Sequence, residues 1–416
     1  MDTAGVEAVW RIESARIVAA LTRFTGDFGL AEDAAQEAVA EALVSWPLVP
    51  PANPAGWLMA TARRRAVDAI RRRTTLHDRY ALLAADLAVG SAADLAVGSA
   101  VDDEIDPDRI DDDVLALMFI SCHPVLSPEV RVALTLRVVG GLSSVEIARA
   151  FLVPVPTVQA RITRGKKTIA AARVPFELPA AGERRERLGG VLSVLYVIFT
   201  EGSTATSGDR LLRPEVAYEA IRLARTLAAL QPDEPEVHGL LALFELTAAR
   251  FLARTAPDGS PILLEDQDRR RWDVAAIRRG AAALARASTR GLGPYGLQAA
   301  IAAAHASAPS VEGTDWDRIV VLYEALGRVA PSPVVELNRA VAVAMASGPA
   351  QALAIVDELI ASDRLAGSHL VPTVRGELLA RLGRRPEARA ELELAARLCP
   401  NQRERSVLLR KAAELS

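Results

Sequence analysis

Along this chain apolar positions recur at helical spacing, and no stretch alternates apolar and polar residues in the way a half-buried strand would. The pattern predicts an all-α fold. Residues 7–44 read as two helices. Val9, Ile12, Ile17 and Leu21 give the first an apolar face, and Gly26 to Leu30 breaks the run. Ala31, Ala34, Ala35, Ala38 and Leu43 face inward on the second, with Glu32, Asp33, Gln36 and Glu37 outward. Ser45 to Gly56 is a proline-rich loop that can be neither regular helix nor central strand. Trp57 to Arg73 is strongly amphipathic. Trp57, Leu58, Ala62, Ala66 and Ile70 pack, while Arg63, Arg64, Arg65, Arg71, Arg72 and Arg73 stay outside.

The pattern then lapses from His77 to Asp113. That segment holds a tandem octapeptide, ADLAVGSA at 85–92 and again at 93–100, and ends in the acidic run VDDEIDPDRIDDD. A tolerated duplication implies a weak length constraint, as in a surface linker. Helical spacing resumes over Val114 to Val139, with Leu115, Leu117, Phe119, Val132, Leu134 and Leu136 as core.

Gly141 to Lys167 reads as two short helices with a tight break. Ser143 or Ser144 caps the first, and Glu146 sits where the helix dipole favours a carboxylate. Pro154 and Pro156 mark the break, and the second helix runs from about Thr157. Val158, Ile162 and Ile169 face inward; Gln159, Thr163, Arg164, Lys166 and Lys167 form the opposite side. A small helix with an apolar back and a polar, basic front is what a DNA major groove admits. An ordinary helical hairpin with a solvated face satisfies the same spacing.

Composition narrows the choice. Half of the 416 residues are apolar and 24% are charged, ample for globular cores. Net charge is only −3, so nucleic-acid affinity has to come from local basic patches. Two cysteines, Cys122 and Cys399, make neither a disulfide framework nor a zinc site. Cys122 and His123 are adjacent before Pro124, and adjacent side chains rarely chelate one metal, so a structural role at a helix end is expected. No phosphate-binding glycine loop, nucleophile–base pairing or metal-ligand cluster is visible, which argues against an enzyme and implies no catalytic residue, cofactor or metal. The N-terminus lacks the regions of a signal peptide and no apolar run reaches membrane-spanning length, so a cytoplasmic protein is expected.

Three stretches in order, EDAAQE (Glu32 to Glu37), NPAGWLMATARRRAVDAIRRR (Asn53 to Arg73) and the helix pair ending in Thr157, Val158, Arg161, Arg164 and Lys167, resemble a bacterial RNA polymerase sigma factor of the extracytoplasmic-function type. The resemblance covers roughly residues 7 to 172. It implies a transcription initiation factor that binds core RNA polymerase and directs it to −10 and −35 promoter elements. Glu32, Asp33, Gln36 and Glu37 would dock on the clamp of the largest subunit, and the flap region of the polymerase would be a further contact. Trp46 and Asn53 would hold a flipped base of the −10 element, an aromatic platform and an amide edge being what an unstacked base needs. For Trp46 a place in the core is an equal reading. The arginines at 63, 64, 65, 71, 72 and 73 are assigned to the −10 backbone, because such density repels itself unless phosphates lie nearby. Arg64 stands where many relatives carry asparagine. Thr157, Gln159, Ala160, Arg161, Thr163, Arg164, Lys166 and Lys167 would read the −35 element. The acidic linker would mimic nucleic-acid charge in the polymerase channels.

The resulting plan is a region 2 domain over 1–76, a flexible acidic linker over 77–112, a region 4 helix-turn-helix domain over 113–173 and a helical C-terminal domain over 184–416. Val174 to Glu183 separates the last two. The remainder resembles the subgroup with a tetratricopeptide-like extension. Gly376, Leu379, Ala388, Leu392, Ala395 and Pro400 match the repeat's small and large positions, with Leu392 in place of the usual aromatic, and Ala340, Val343, Ala352, Val356 and Leu359 make a looser copy. The extension would brace or regulate the sigma part, packing through Leu188, Leu192 and Leu195, or bind a regulatory protein. The alternative is a helix-turn-helix regulator or scaffold that binds DNA without polymerase; the EDAAQE and arginine-rich helices, which a repressor does not need, separate the two.

Overall fold

The computed structural model describes residues 2–85, 110–203, 212–256, 260–362, 365 and 367–415. The tandem octapeptide beyond its first residue, and the acidic run as far as 109, lie outside the described residues. Among the described residues all regular structure is helical, and a lone bridge between Thr255 and Pro261 is the nearest thing to a strand. The chain forms two compact units, Met1–Val194 and Leu195–Ser416.

The first unit contains α1 (Thr3–Thr25), α2 (Phe28–Ser45), α3 (Pro54–Ala85), α4 (Ile110–Ser121), α5 (Pro128–Leu134), α6 (Ser144–Phe151) and α7 (Val155–Ala171), together with the start of α8 (Ala181–Ser203). Asp2 caps α1 by accepting from Gly5 N, and Gly26, at φ 65°, ends it in the left-handed conformation that glycine adopts without a Cβ penalty. Asp27 caps α2 through Leu30 N. Ile17, Leu21, Ala31, Ala34, Ala35 and Ala38 are buried as the spacing predicts. Ile12 and Leu43 are not: Ile12 is 68% exposed and Leu43 lies on the surface, because the apolar stripe is narrower than the count of hydrophobic residues suggested. The expected linker is shorter at both ends. Helix α3 continues to Ala85, and α4 starts at Ile110 with Asp111, Asp112 and Asp113 in its first turn, where the helix dipole favours carboxylates.

From Val114 to Ile120 every side chain of α4 is buried. After α5 the helix loosens into a π-helical turn, Thr135–Val139, that carries Arg137. The first stretch of α8 belongs to this unit: Leu188, Val191 and Leu192 are buried and Arg187 donates to the carbonyl of Phe119 at 3.2 Å.

The second unit holds Leu195, the rest of α8 and α9 (Pro214–Leu230), α10 (Pro235–Ala248), α11 (Val274–Ala287), α12 (Pro294–Ser307), α13 (Trp316–Val329), α14 (Pro333–Ala346), α15 (Pro349–Ala361), α16 (Leu370–Arg381), α17 (Arg385–Leu398) and α18 (Gln402–Glu414). Proline in the first helical turn, where its missing N–H costs nothing, opens six of them. Phe199 stacks on Phe244 at 4.0 Å, and Glu236 accepts from Tyr295 N and Gly296 N at the start of α12. In the hairpin α16–α17, a Cβ on Gly376 would meet Leu392 Cγ at 2.9 Å, so the small residue there sets the helix approach. Leu379, Ala388, Leu392 and Ala395 are buried, as their spacing predicts.

Candidate nucleic-acid interface

The helix pair α6–α7 is built by local chemistry. Ser143 Oγ accepts from Glu146 N at 3.2 Å and the Glu146 carboxylate accepts from Ser143 N at 2.8 Å, a reciprocal capping box. Leu152, at φ 50°, turns the chain, and Pro154 caps α7, which begins at Val155, earlier than Thr157. Val158, Ile162 and Ile169 are buried beneath α7. Gly165 joins them: a Cβ there would meet Leu134 Cδ1 at 2.6 Å and Val130 Cγ1 at 2.7 Å. The opposite face presents Gln159, Ala160, Thr163, Arg164 and Lys167 to solvent, with Thr157 and Arg161 half-buried at its edge.

Lys166 departs from this face. Its Nζ lies 2.6 Å from Glu32 and 2.6 Å from Asp33 on α2. Arg137 completes the group, with Nε 2.9 Å from Glu32. Glu32 is therefore 3% exposed, not outward, because α7 and the π-helical turn cover it. Burial alone would lower the Lys166 ammonium's pKa; the carboxylates of Glu32 and Asp33 outweigh it and hold the pKa above its ordinary value. Lys166 is thus engaged by protein carboxylates, where phosphate was expected. Asp33 remains largely exposed and Glu37 is exposed 3.9 Å from Arg65. Gln36 is half-buried, and its Nε2 has no hydrogen-bond partner.

Three further contacts tie the same parts together. Trp10 Nε1 donates to the Gly141 carbonyl at 3.0 Å, Arg11 pairs with Glu146 at 2.5 Å, and Arg23 pairs with the buried Asp113. Gly141, at φ 71°, is required here, since a Cβ would lie 2.6 Å from Ser14 Oγ.

The arginines of α3 are not a bare repelling cluster. Arg64 and Arg65 share Glu41 at 3.1 and 2.6 Å, Arg73 pairs with Asp27 at 2.7 Å, and Arg63 lies 5.0 Å over the Phe24 ring. Arg72 donates to the Asp68 carbonyl, and Arg71 is exposed. Carboxylates and a ring therefore do the compensating that was assigned to phosphates alone. An open groove of about 520 Å³ runs along Gly56, Met59, Ala60, Arg63, Arg64 and Arg71. Asn53 caps α3, accepting from Gly56 N at 3.0 Å. Trp46 is fully buried, edge-on to Trp57 at 5.5 Å, so its ring is core and not a base platform.

Elsewhere, Cys122 is buried with Sγ 3.3 Å from Thr135 Oγ1, and His123 Nδ1 accepts from Val125 N, so the pair serves the helix end. Sequence reading missed His369, Cys399 and Glu404, whose ligand atoms lie within 4.8 Å of one another; His369 Nε2 lies 3.3 Å from the Glu404 carboxylate beside the buried thiol. It also missed Arg137 and Gly165. A glycine inside an amphipathic helix was the one signal available for the latter.

Comparison with known proteins accounts for the arrangement. The family model described as sigma-70 region 2 matches residues 11–75, and sigma-70 region 4 matches residues 116–169. A family of unknown function, DUF6596, matches residues 187–288. An uncharacterised protein of Rhizobium meliloti (strain 1021) is 42% identical over 405 residues, 97% of this chain and 94% of that protein. The probable ECF RNA polymerase sigma factor SigI of Mycobacterium tuberculosis, strains CDC 1551 and H37Rv, is 29% identical over 183 residues, 43% of this chain and 59% of that protein. No solved structure matches. No helix among the described residues is long and apolar enough to cross a membrane. The chain therefore belongs to the sigma-70 family of transcription initiation factors, extracytoplasmic-function type, a non-enzymatic family whose partners are core RNA polymerase and promoter DNA, and it carries a C-terminal extension of the DUF6596 kind.

Proposed function

We propose that this protein binds core RNA polymerase through α2, reads the −35 element with α7 and the −10 element with α3, and that the free protein holds α7 against α2 through Lys166 while the rest of the reading face stays exposed. The observation that carries this reading is the pairing of Lys166 with Glu32 and Asp33. It joins α7 to α2, and the proposed reading makes the first the DNA reader and the second the docking helix. The two promoter elements lie about 25 base pairs apart, roughly 85 Å of duplex at 3.4 Å per base pair. A form in which α7 touches α2 does not span that distance, so promoter binding separates them. Glu32 and Asp33 then become free for polymerase, and Lys166 for phosphate.

On α7, Thr163 and Arg164 face base edges with Gln159 beside them, and Arg161, Lys166 and Lys167 hold phosphates. The C-terminal unit braces or regulates this machinery. The test is copurification with core polymerase followed by promoter-dependent run-off transcription. Arg164→Ala relaxes preference at one −35 position by about 1–3 kcal/mol, whereas Lys167→Ala weakens all sequences alike and reduces the salt slope by about 1. Identical behaviour of the two variants across a −35 library contradicts the assignment. DNA binding without polymerase binding would instead make the protein a helix-turn-helix regulator.

A further inference from the structure

The C-terminal unit gathers cations that its own acids answer only from a distance: Glu312 acts on Arg269 without forming an ion pair with it. Arg250 and Arg254 flank the short turn after α10, Arg269 opens the turn before Trp272, and His305 lies near the end of α12. The guanidiniums of Arg250 and Arg269 both lie against the Trp272 indole, 5.2 and 4.6 Å from its centroid. Every hydrogen-bond acceptor these arginines have is neutral. Arg250 donates to the Gln267 amide oxygen at 3.3 Å, Arg254 to the Ser203 carbonyl at 2.7 Å, and Arg269 to the carbonyls of His305 and Ala308, each at 2.7 Å. Among the described residues no carboxylate lies within ion-pair distance of the three. Asp268, next to Arg269 in the chain, faces Arg270 instead at 3.0 Å.

The fields agree with the geometry. Burial, then Arg254 and Arg269, push Arg250 down to about 10; burial, then Arg250 and Arg269, push His305 down to about 4. His305 is thus neutral near pH 7, and the cluster carries three positive charges. Three polar atoms at its heart have no hydrogen-bond partner: Arg269 Nη2, Trp272 Nε1 and His305 Nδ1. The first two are donors without an acceptor, and Trp272 is only 4% exposed.

Cations without a paired carboxylate and idle donors are costly in a folded protein, because bonds to neutral carbonyls and an amide return only part of the desolvation. Both deficits are met by one kind of molecule: an anion with several acceptor oxygens. Planar guanidiniums suit carboxylate and phosphate alike. Three positive charges favour a phosphate group, which carries about −1.5 to −2 near neutral pH, over a single carboxylate. The arginines are half-buried, so part of each side chain meets solvent. We propose that Arg250, Arg254 and Arg269, with Trp272 and His305, form a binding site for phosphate or a small phosphate monoester. The C-terminal unit is then a ligand-binding module in its own right, whatever the sigma part does.

The experiment is thermal unfolding and calorimetric titration of the full-length protein with inorganic phosphate, glycerol phosphate and acetate, ionic strength held constant with chloride. Saturable heat and a rise in unfolding temperature with either phosphate compound are expected. Preference for glycerol phosphate identifies a monoester, and equal binding identifies the phosphate itself. Trp272→Phe keeps a ring under both guanidiniums, deletes only the N–H and weakens binding about tenfold. Arg269→Gln abolishes binding, and Arg290→Gln, outside the cluster, leaves it intact. Three results overturn the proposal: no saturable response to either phosphate compound, a response to acetate of the same size, or binding unchanged in both Trp272→Phe and Arg269→Gln.

Discussion

Buried cations are treated in opposite ways in two regions of this molecule. Where α7 meets α2, Lys166 and Arg137 converge on Glu32, and Asp33 takes a second bond from the lysine. Around Trp272, three arginines donate only to carbonyls and an amide, and Glu312 acts on Arg269 from beyond ion-pair distance. The C-terminal unit is able to supply acids: Glu245, 2% exposed, receives both Arg225 and Arg279. The unanswered arginines are therefore a local feature and not a shortage of carboxylates. Matched charge marks a contact that the protein makes with itself, and on the function proposed above the one between α7 and α2 is exchanged when polymerase and DNA arrive. Unmatched charge marks a place kept for something else.

The largest effect expected from this contrast is at Glu32. Glu32→Ala strips Arg137 of its carboxylate and leaves Lys166 only the exposed Asp33, and the first unit loses about 3 kcal/mol. Urea unfolding of the full chain reads it; a loss below about 1 kcal/mol, the value of an exposed pair, would mean that the group is solvated and the contrast is false. Next is Gly165→Ala. The new methyl meets Leu134 and Val130, and overpacking costs about 1–3 kcal/mol. Unchanged stability there would show that α7 does not depend on its close seat. The smallest effect has the opposite sign. Arg254→Met in phosphate-free buffer is neutral or stabilises by up to about 1 kcal/mol, since an unpaired charge gives way to an apolar chain. Destabilisation comparable with Glu32→Ala would show that Arg254 is structurally required, and would remove the distinction between the two regions.

Much of this was legible in the sequence, for local reasons. Helix α7 has an apolar back at helical spacing, a proline before it and a capping box in α6, all encoded within a few residues. Gly376 and Leu392 were readable because hairpin packing repeats small and large positions. What failed was long-range. Glu32 sits on the polar side of α2 by spacing, and nothing near it in the chain announces that residues 137 and 166 will cover it. The arginines of α3 looked too dense because their partners, Asp27, Glu41 and Phe24, lie on other helices. Trp46 had two readings, and only packing against Trp57 separates them. The cluster around Trp272 draws on positions from 250 to 305, each unremarkable alone.

The central claim is that α7 and α2 are joined through Lys166, Glu32 and Asp33 in the free protein and part on the promoter. Distance measurement between spin labels at Leu48 and Ala171, both exposed, tests it directly. The account predicts one short distance distribution for the free protein. With core RNA polymerase and promoter DNA that distribution shifts by tens of ångströms, toward the roughly 85 Å between the two elements. Glu32→Ala lengthens it partly without any partner. A long distance already present in the free protein, or a short one retained in a complex that transcribes, contradicts the claim.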